Sequence, residues 1–374
     1  MARLSMRSSD IKPSPVREML NVSQRPGMIS FAGGLPSPET FAGLDLPPPP
    51  RDLLQYGPTE GEPALRARIA EDLAALGLDT APDRVMVLSG SQQGIDLAAK
   101  LVVDAGTALA VESPAYLAAL QVFRFYGARF EIIDRSAPGA GWANASPSMA
   151  YVIPTFQNPS GHCWTAEERQ AMAAACRAGD VILFEDDPYR DLVYAPCERT
   201  PVCAGMAGGS WIYQGSFSKT VAPGLRLGYL TASPDLFPLL VQLKQAADLH
   251  TNRLSQWMVL QYLDDPGRAA RMEQVRDLYR RKRDAFADAL TRHLGNRASW
   301  SLPPGGLFFW LTLGAGVDVE ALLQRCVARG VLFTPGSHFL AEGGASPTIR
   351  LNFSLADPEA AERGLAVIGE ALGG

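Results

Sequence analysis

The chain has 374 residues, 47% of them hydrophobic, enough to bury a large core and more than one ordinary domain holds. A formal net charge of −5 with no long basic run argues against nucleic acid as a partner, and no apolar stretch reads as a signal peptide or a bilayer span. Five scattered cysteines, odd in number and at neither CxxC nor zinc spacing, fit a reducing cytoplasm and argue against a bound metal.

Residues 1–47 read as an N-terminal arm, closed by a stiff run of four prolines over 47–50. From Glu62 the hydrophobic runs alternate in type. A helix over 63–76 is followed by a strand over 85–88, a helix over 93–103, a strand over 108–112, a helix over 116–126 and a strand over 130–133. Then come a strand over 151–154, a helix over 166–177 and strands over 181–184, 211–214 and 227–231. Alternation of this kind predicts an α/β fold, with a large domain over 48–266 whose mostly parallel sheet is covered by helices on both faces. Ligands of such sheets sit at the carboxyl ends of the strands. A long charged helix over 268–294 leads into a smaller α+β domain over 267–374, with strands over 307–313, 331–333 and 348–353 and helices over 319–329 and 358–372. The arm is expected to pack on this smaller domain. No internal repeat is visible.

Four segments carry chemistry. Lys219 lies in Gly215-Ser216-Phe217-Ser218-Lys219-Thr220, at the end of an apolar strand, with Arg226 seven positions on. A lysine among small residues beside an arginine suits a Schiff base to an aldehyde cofactor whose phosphate needs a cation, namely pyridoxal 5'-phosphate. Asp186, in Phe184-Glu185-Asp186-Asp187-Pro188-Tyr189, follows the apolar run Val181-Ile182-Leu183, where a carboxylate can keep a pyridine nitrogen protonated. Tyr189, on the same turn, can reach the phenolic oxygen of the ring. Asn158 emerges from a strand into the turn Asn158-Pro159-Ser160-Gly161, where an amide can hold the same oxygen, although that sequence makes a good turn in its own right. Gly90, Ser91 and Gln92 join a strand to a helix start, so their N–H groups can cradle a phosphate; an ordinary strand-to-helix turn would look the same.

With these segments in this order, the chain resembles the pyridoxal phosphate aminotransferases of fold type I, classes I and II, and most of all their 2-aminoadipate, kynurenine and aromatic branch. The resemblance extends through Ser14-Pro15-Val16-Arg17-Glu18, Ala32-Gly33-Gly34-Leu35-Pro36, Tyr56-Gly57-Pro58, Glu112-Ser113-Pro114-Ala115-Tyr116, Pro304-Gly305-Gly306 and Ile349-Arg350-Leu351-Asn352. It implies that Lys219 carries the cofactor, Asp186 pairs with the ring nitrogen, Asn158 and Tyr189 contact the ring oxygen, and Tyr116 stacks on the ring. It places Ser91, Gln92, Ser216, Ser218 and Arg226 around the phosphate, with Tyr56 reaching it from the neighbouring subunit of a homodimer, alongside Asn252 or Arg253. Arg350 would grip the substrate α-carboxylate near the backbone of Gly34. Asn158 would touch substrate as well. Arg17 is placed to recognise distal substrate groups or to be a surface residue. Phe308 and Phe309 offer apolar surface but suit a core equally. One departure stands out: residues 134–151 are short and rich in Ala, Gly, Ser and Pro, where the family carries a longer segment with a helix.

The expected reaction is transfer of an α-amino group from a medium or large amino acid, of aminoadipate, aromatic or branched-chain type, to 2-oxoglutarate by a ping-pong mechanism. A lyase catalysing β-elimination would keep every cofactor contact. A cofactor-sensing domain of a transcriptional regulator would need a DNA-binding domain upstream of the Arg17 region.

Overall fold

The computed structural model describes Ser5, Arg7, Met19 and residues 21–43 and 46–373; Arg17 and its motif lie outside the described residues. The central sheet has seven strands in the order β2-β8-β7-β6-β5-β3-β4. These are β2 (Val85–Leu88), β3 (Ala108–Val111), β4 (Arg129–Ile132), β5 (Met149–Val152), β6 (Ile182–Asp186), β7 (Trp211–Ser216) and β8 (Gly228–Ala232). Only β8 is reversed, antiparallel to both β2 and β7. Every residue of β2, β3 and β5 is buried, as expected where helices cover both faces of a sheet and neither face can be polar.

One face packs Leu65, Ile69 and Leu73 of the helix Pro63–Ala75, Met172 and Cys176 of Ala166–Gly179, and Val259 and Tyr262 of Arg253–Asp264. The other takes Ile95 and Leu97 of Ser91–Val102, Leu120 and Phe123 of Leu117–Tyr126, and Leu240 of Phe237–Asp248. Ala166–Gly179 starts at a capping box, Thr165 with Glu168, and stops at Asp180 in the left-handed region.

The second unit is a four-stranded sheet of β12 (Thr334–Pro335), β13 (Thr348–Asn352), β10 (Phe308–Leu313) and β9 (Ala298–Trp300), antiparallel throughout. Beside it β1 (Ile29–Ser30) runs parallel to β11 (Val331–Leu332), so the N-terminal segment is pinned to the C-terminal part of the chain. The helix Arg268–Leu294 packs along Pro358–Gly373, and Phe286 joins Phe31, edge-on at 5.2 Å, to Phe309, stacked at 5.5 Å. Phe308 and Phe309 are both fully buried.

Element ends move by a residue or two from the sequence expectation, with consequences at two places. The helix expected from residue 93 starts at Ser91, which puts Ser91 and Gln92 in its first turn, and β6 runs on to include Asp186. The helices Phe237–Asp248 and Arg253–Asp264 and the short strands β9 and β12 were not anticipated. In the abbreviated 134–151 segment a four-residue helix, Trp142–Ala145, remains, with Trp142 buried.

Candidate functional site

The ends of β5, β6 and β7 converge on a cavity of about 140 Å³ lined by Ser91, Gln92, Tyr116, Asn158, Asp186, Tyr189, Ser216, Ser218, Lys219 and Arg226. An adjoining cavity of about 180 Å³ shares Tyr116, Asn158, Tyr189 and Lys219 and adds Gly34, Leu35, Leu117, Thr334, Phe339 and Arg350. Residues spread over more than three hundred positions thus meet around one lysine. Tyr56 lines neither cavity and is 76% exposed in the single chain, its ring edge-on to His250. A larger cavity of about 690 Å³ lies behind the Ser216–Thr220 turn, but its arginines are mostly tied to neighbouring acids, such as Arg268 to Asp72 and Arg276 to Glu273.

Lys219 Nζ donates to the Gly34 carbonyl at 2.7 Å. Burial, reinforced by the charges of Arg350 and Arg226, pushes its amine down to about 8, which makes the neutral, nucleophilic form accessible near neutral pH. Asp186 is 2% exposed and accepts from Tyr151 Oη at 2.7 Å and Gln214 Nε2 at 2.9 Å. Both donors are neutral, and among the described residues no lysine or arginine forms an ion pair with it. Burial raises its carboxyl to about 6. A buried acid held only by neutral donors fits a cationic ring nitrogen as its missing partner.

The turn from β2 into the helix Ser91–Val102 is a backbone construction. Gly90 sits at φ 85°, ψ 158°, and the helix after it has no side-chain cap, leaving its first N–H groups open to an anion. A Cβ at Gly90 would lie 2.6 Å from Arg226 Nη2, so only glycine lets that guanidinium close over the helix start. Behind the turn, Ser89 N and Lys244 Nζ both donate to Gln93 Oε1, and Gln93 Nε2, Ser89 Oγ and Lys244 Nζ all donate to Asp248. This network clamps the cradle to the helix Phe237–Asp248.

On the other side, Arg350 projects from β13 between the rings of Phe308 and Phe339, 4.4 and 4.8 Å from their centroids. Its Nη1 donates to Asn158 Oδ1 at 2.7 Å and its Nη2 to the Ala32 carbonyl, while Nε is buried without a partner. Burial lowers this guanidinium to about 10. A buried cation with an idle N–H and no carboxylate is suited to an incoming carboxylate. Asn158 Nδ2 in turn donates to Tyr189 Oη at 3.4 Å, linking the two cavities.

Tyr151, Gln214, Thr334 and Phe339 were not singled out from the sequence. Gln214 faces Asp186 because β6 and β7 pair those two positions in register, a relation no local motif reveals. Tyr151 lay in the strand quoted for Asn158, yet nothing there marked its hydroxyl as a partner for Asp186. Asn252 caps the helix Arg253–Asp264 through Ser255 N, and Arg253 pairs with Glu62 and donates to the Gln55 carbonyl. Within the chain Arg253 thus steadies the segment carrying Tyr56.

The arrangement defines a pyridoxal phosphate enzyme of the α/β type, and comparison with known proteins agrees. Residues 50–368 match the family model described as aminotransferase class I and II. The chain is 37% identical to the 2-aminoadipate transaminase of Thermus thermophilus, across 97% of this chain and 95% of that one. It is 32% identical to the aromatic-amino-acid aminotransferase 1 of Thermococcus litoralis, across 98% and 93%. The solved α-aminoadipate aminotransferase of Thermus thermophilus, in complex with N-(5'-phosphopyridoxyl)-L-leucine, superposes with a TM-score of 0.88 at 34% identity, covering 99% of this chain and 97% of that one. The chain belongs to the class I and II aminotransferases. It is a pyridoxal phosphate-dependent enzyme that transfers amino groups of amino acids.

Proposed function

We propose that the enzyme moves the α-amino group of a medium or large amino acid to 2-oxoglutarate, with Lys219 as the catalytic residue. In this reading Lys219 holds the cofactor aldehyde, Asp186 its ring nitrogen, Asn158 and Tyr189 its ring oxygen and Tyr116 its ring face. Gly90, Ser91, Gln92, Ser216, Ser218 and Arg226 hold the phosphate. When bound, the cofactor supplies an electron sink conjugated to the substrate Cα. Arg350 would hold the α-carboxylate and so oppose its loss, leaving the bond from Cα to hydrogen as the one to break. Lys219 Nζ, its basicity lowered by burial, would be the base placed to take that proton and to hand it back. Asp186, desolvated and without a protein cation, favours a protonated ring nitrogen throughout.

The observation that carries the reading is the pairing of a half-buried lysine and a buried, carboxylate-free arginine across the shared wall of two cavities. The second cavity is also lined by Met19, Leu35 and Leu117, which supports side chains with an apolar reach. Relatives named for 2-aminoadipate, aromatic amino acids and kynurenine span acidic and apolar donors alike. A homodimer with Tyr56 completing the partner's site accounts for the exposure of that ring together with the exposed Leu54. The division into an arm (1–47), a large domain (48–266) and a small domain (267–374), and a cytoplasmic location, complete the proposal. Among the described residues no helix is long and apolar enough to cross a membrane.

A donor panel of aminoadipate, leucine, phenylalanine, kynurenine and alanine with 2-oxoglutarate, read as glutamate formed, tests the substrate class. The larger donors should exceed alanine in kcat/KM. Ammonia and pyruvate released from cysteine without glutamate formation would overturn the proposal in favour of β-elimination.

A further inference from the structure

Asp186 is bracketed within its own sheet. β5, β6 and β7 lie side by side, and the register sets Gln214 of β7 opposite Asp186, while Tyr151 of β5 stands opposite Phe184, two residues earlier on the same face of β6. From these flanks Tyr151 Oη donates to Oδ2 and Gln214 Nε2 to Oδ1, so each carboxylate oxygen receives one hydrogen bond from a neutral group. Both donors are fully buried, which keeps bulk water from taking their place.

Neither donor is free to turn away. The Tyr151 ring is wedged edge-on between Phe123 and Phe184, at 5.4 and 5.3 Å. Gln214 lies against Gly94 of the helix Ser91–Val102, where a Cβ would collide with its Oε1 and stand 2.9 Å from Leu88 Cδ1. Glycine is a poor residue for a helix interior, and the Oε1 it makes room for is buried with no hydrogen-bond partner among the described residues. Both features are unfavourable, and what they have in common is an amide held with Nε2 toward Asp186. Turning it over would set Oε1 against Asp186 Oδ1, acceptor against acceptor, whenever the acid is ionised.

We propose that Tyr151 and Gln214 are positioning residues that keep Asp186 an acceptor, so that the proton it shares with the cofactor's ring nitrogen stays on the ring. The inference rests on the cofactor assignment above and goes beyond it. That proton has two places: on the nitrogen, giving a cation beside a carboxylate, or on an Asp186 oxygen, giving a neutral pair. Burial favours the neutral pair and already pushes the Asp186 carboxyl up to about 6. Hydrogen bonds to the ionised form oppose that drift and so keep the ring an effective electron sink. The other titratable groups around Asp186 do not supply this. Asp187 raises it further and is itself tied to Arg190, at 3.3 Å, and to Tyr213. Tyr116, Tyr189, Lys219 and Arg226 line the same cavity, but among the described residues none hydrogen-bonds to it. Glu112 accepts from Ile153 N and Trp164 Nε1, and Glu185, on the opposite face of β6, from Cys203 N.

The test uses Tyr151→Phe, which removes one oxygen, Gln214→Leu, which fills similar space without a donor, and the double variant. In holoenzyme reconstituted with pyridoxal phosphate carrying nitrogen-15 in the ring, the ring signal at one fixed pH should move from the protonated toward the unprotonated position in each single variant, and farthest in the double. In cofactor-free protein, the melting temperature of each variant is compared with that of the same variant carrying Asp186→Asn. An acid raised on folding loses its contribution as pH climbs from its unfolded to its folded value, so for wild type the gap should widen from about pH 4 and level off near about 6. In Tyr151→Phe and Gln214→Leu it should keep widening to roughly one pH unit higher, the size of a charged hydrogen bond. A merely structural loss would lower both melting temperatures and leave the levelling point where it was. An unmoved levelling point in both single variants, or a ring signal at the wild-type position in the double variant, overturns the proposal while leaving the cofactor assignment intact. A ring signal that Asp186→Asn alone fails to move overturns the cofactor assignment itself.

Discussion

Replacing Gly90 by alanine tests the phosphate cradle directly. At φ 85°, ψ 158° the backbone occupies a region essentially closed to residues with a Cβ, so the substitution strains the turn by about 1–3 kcal/mol. The new methyl would stand 2.6 Å from Arg226 Nη2, where ordinary contact begins near 3.4 Å, so the guanidinium must retreat by roughly 0.8 Å. Such a shift is enough to break a charged hydrogen bond, worth about 1.5–3 kcal/mol, which corresponds to a roughly 10- to 150-fold loss of affinity. The loss should fall on the phosphate alone. Titrating cofactor-free protein with pyridoxal phosphate and with unphosphorylated pyridoxal should show the first weakened by that factor and the second nearly unchanged, together with a lower melting temperature. Equal losses for both ligands would mean that the substitution damages the ring site, and the reasoning from Arg226 would be refuted.

Three further expectations concern the same site. In cofactor-free protein, the rate at which Lys219 captures pyridoxal phosphate should climb as pH passes about 8, because only the neutral amine reacts; Arg350→Met removes a nearby positive charge, so the midpoint should move upward. An unmoved midpoint would separate the two residues electrostatically. Asp186 is raised above its ordinary value to about 6, so the folded state binds its proton more tightly than the unfolded state does, and its contribution to stability falls as pH rises from about 4 to 6. Asp186→Asn should therefore stabilise the cofactor-free protein relative to wild type by up to about 3 kcal/mol more at pH 7 than at pH 4, a melting gap that would stay constant if the carboxylate were not strained. Finally, mixing Lys219→Ala with Tyr56→Ala subunits should restore one intact site per hybrid dimer and recover activity that neither variant has alone, whereas no recovery would place Tyr56 in its own subunit's site or in none.

Much of the framework could be read locally because its signals are local. Apolar runs at 85–88 and 108–111 between turn signals suit strands buried on both faces, and Lys219, alone an ordinary loop lysine, becomes a reactive amine once the segments of Asp186, Asn158 and Gly90 stand beside it in chain order. The charged stripe over 268–294 needs no distant partner to read as a helix, and it is one. The helices Phe237–Asp248 and Arg253–Asp264 escaped because their apolar positions make sense only against sheet and neighbours already in place. Gln214 opposite Asp186, the Gly34 carbonyl on Lys219 and the Phe308–Arg350–Phe339 stack join residues from 11 to 185 positions apart. Such contacts are created by strand order and by closure of the second unit on the first. The amino-acid order by itself decides what each segment can become and which side chains are chemically unusual; only the folded chain decides which of them share a cavity, because pairing register and packing are properties of two segments at once.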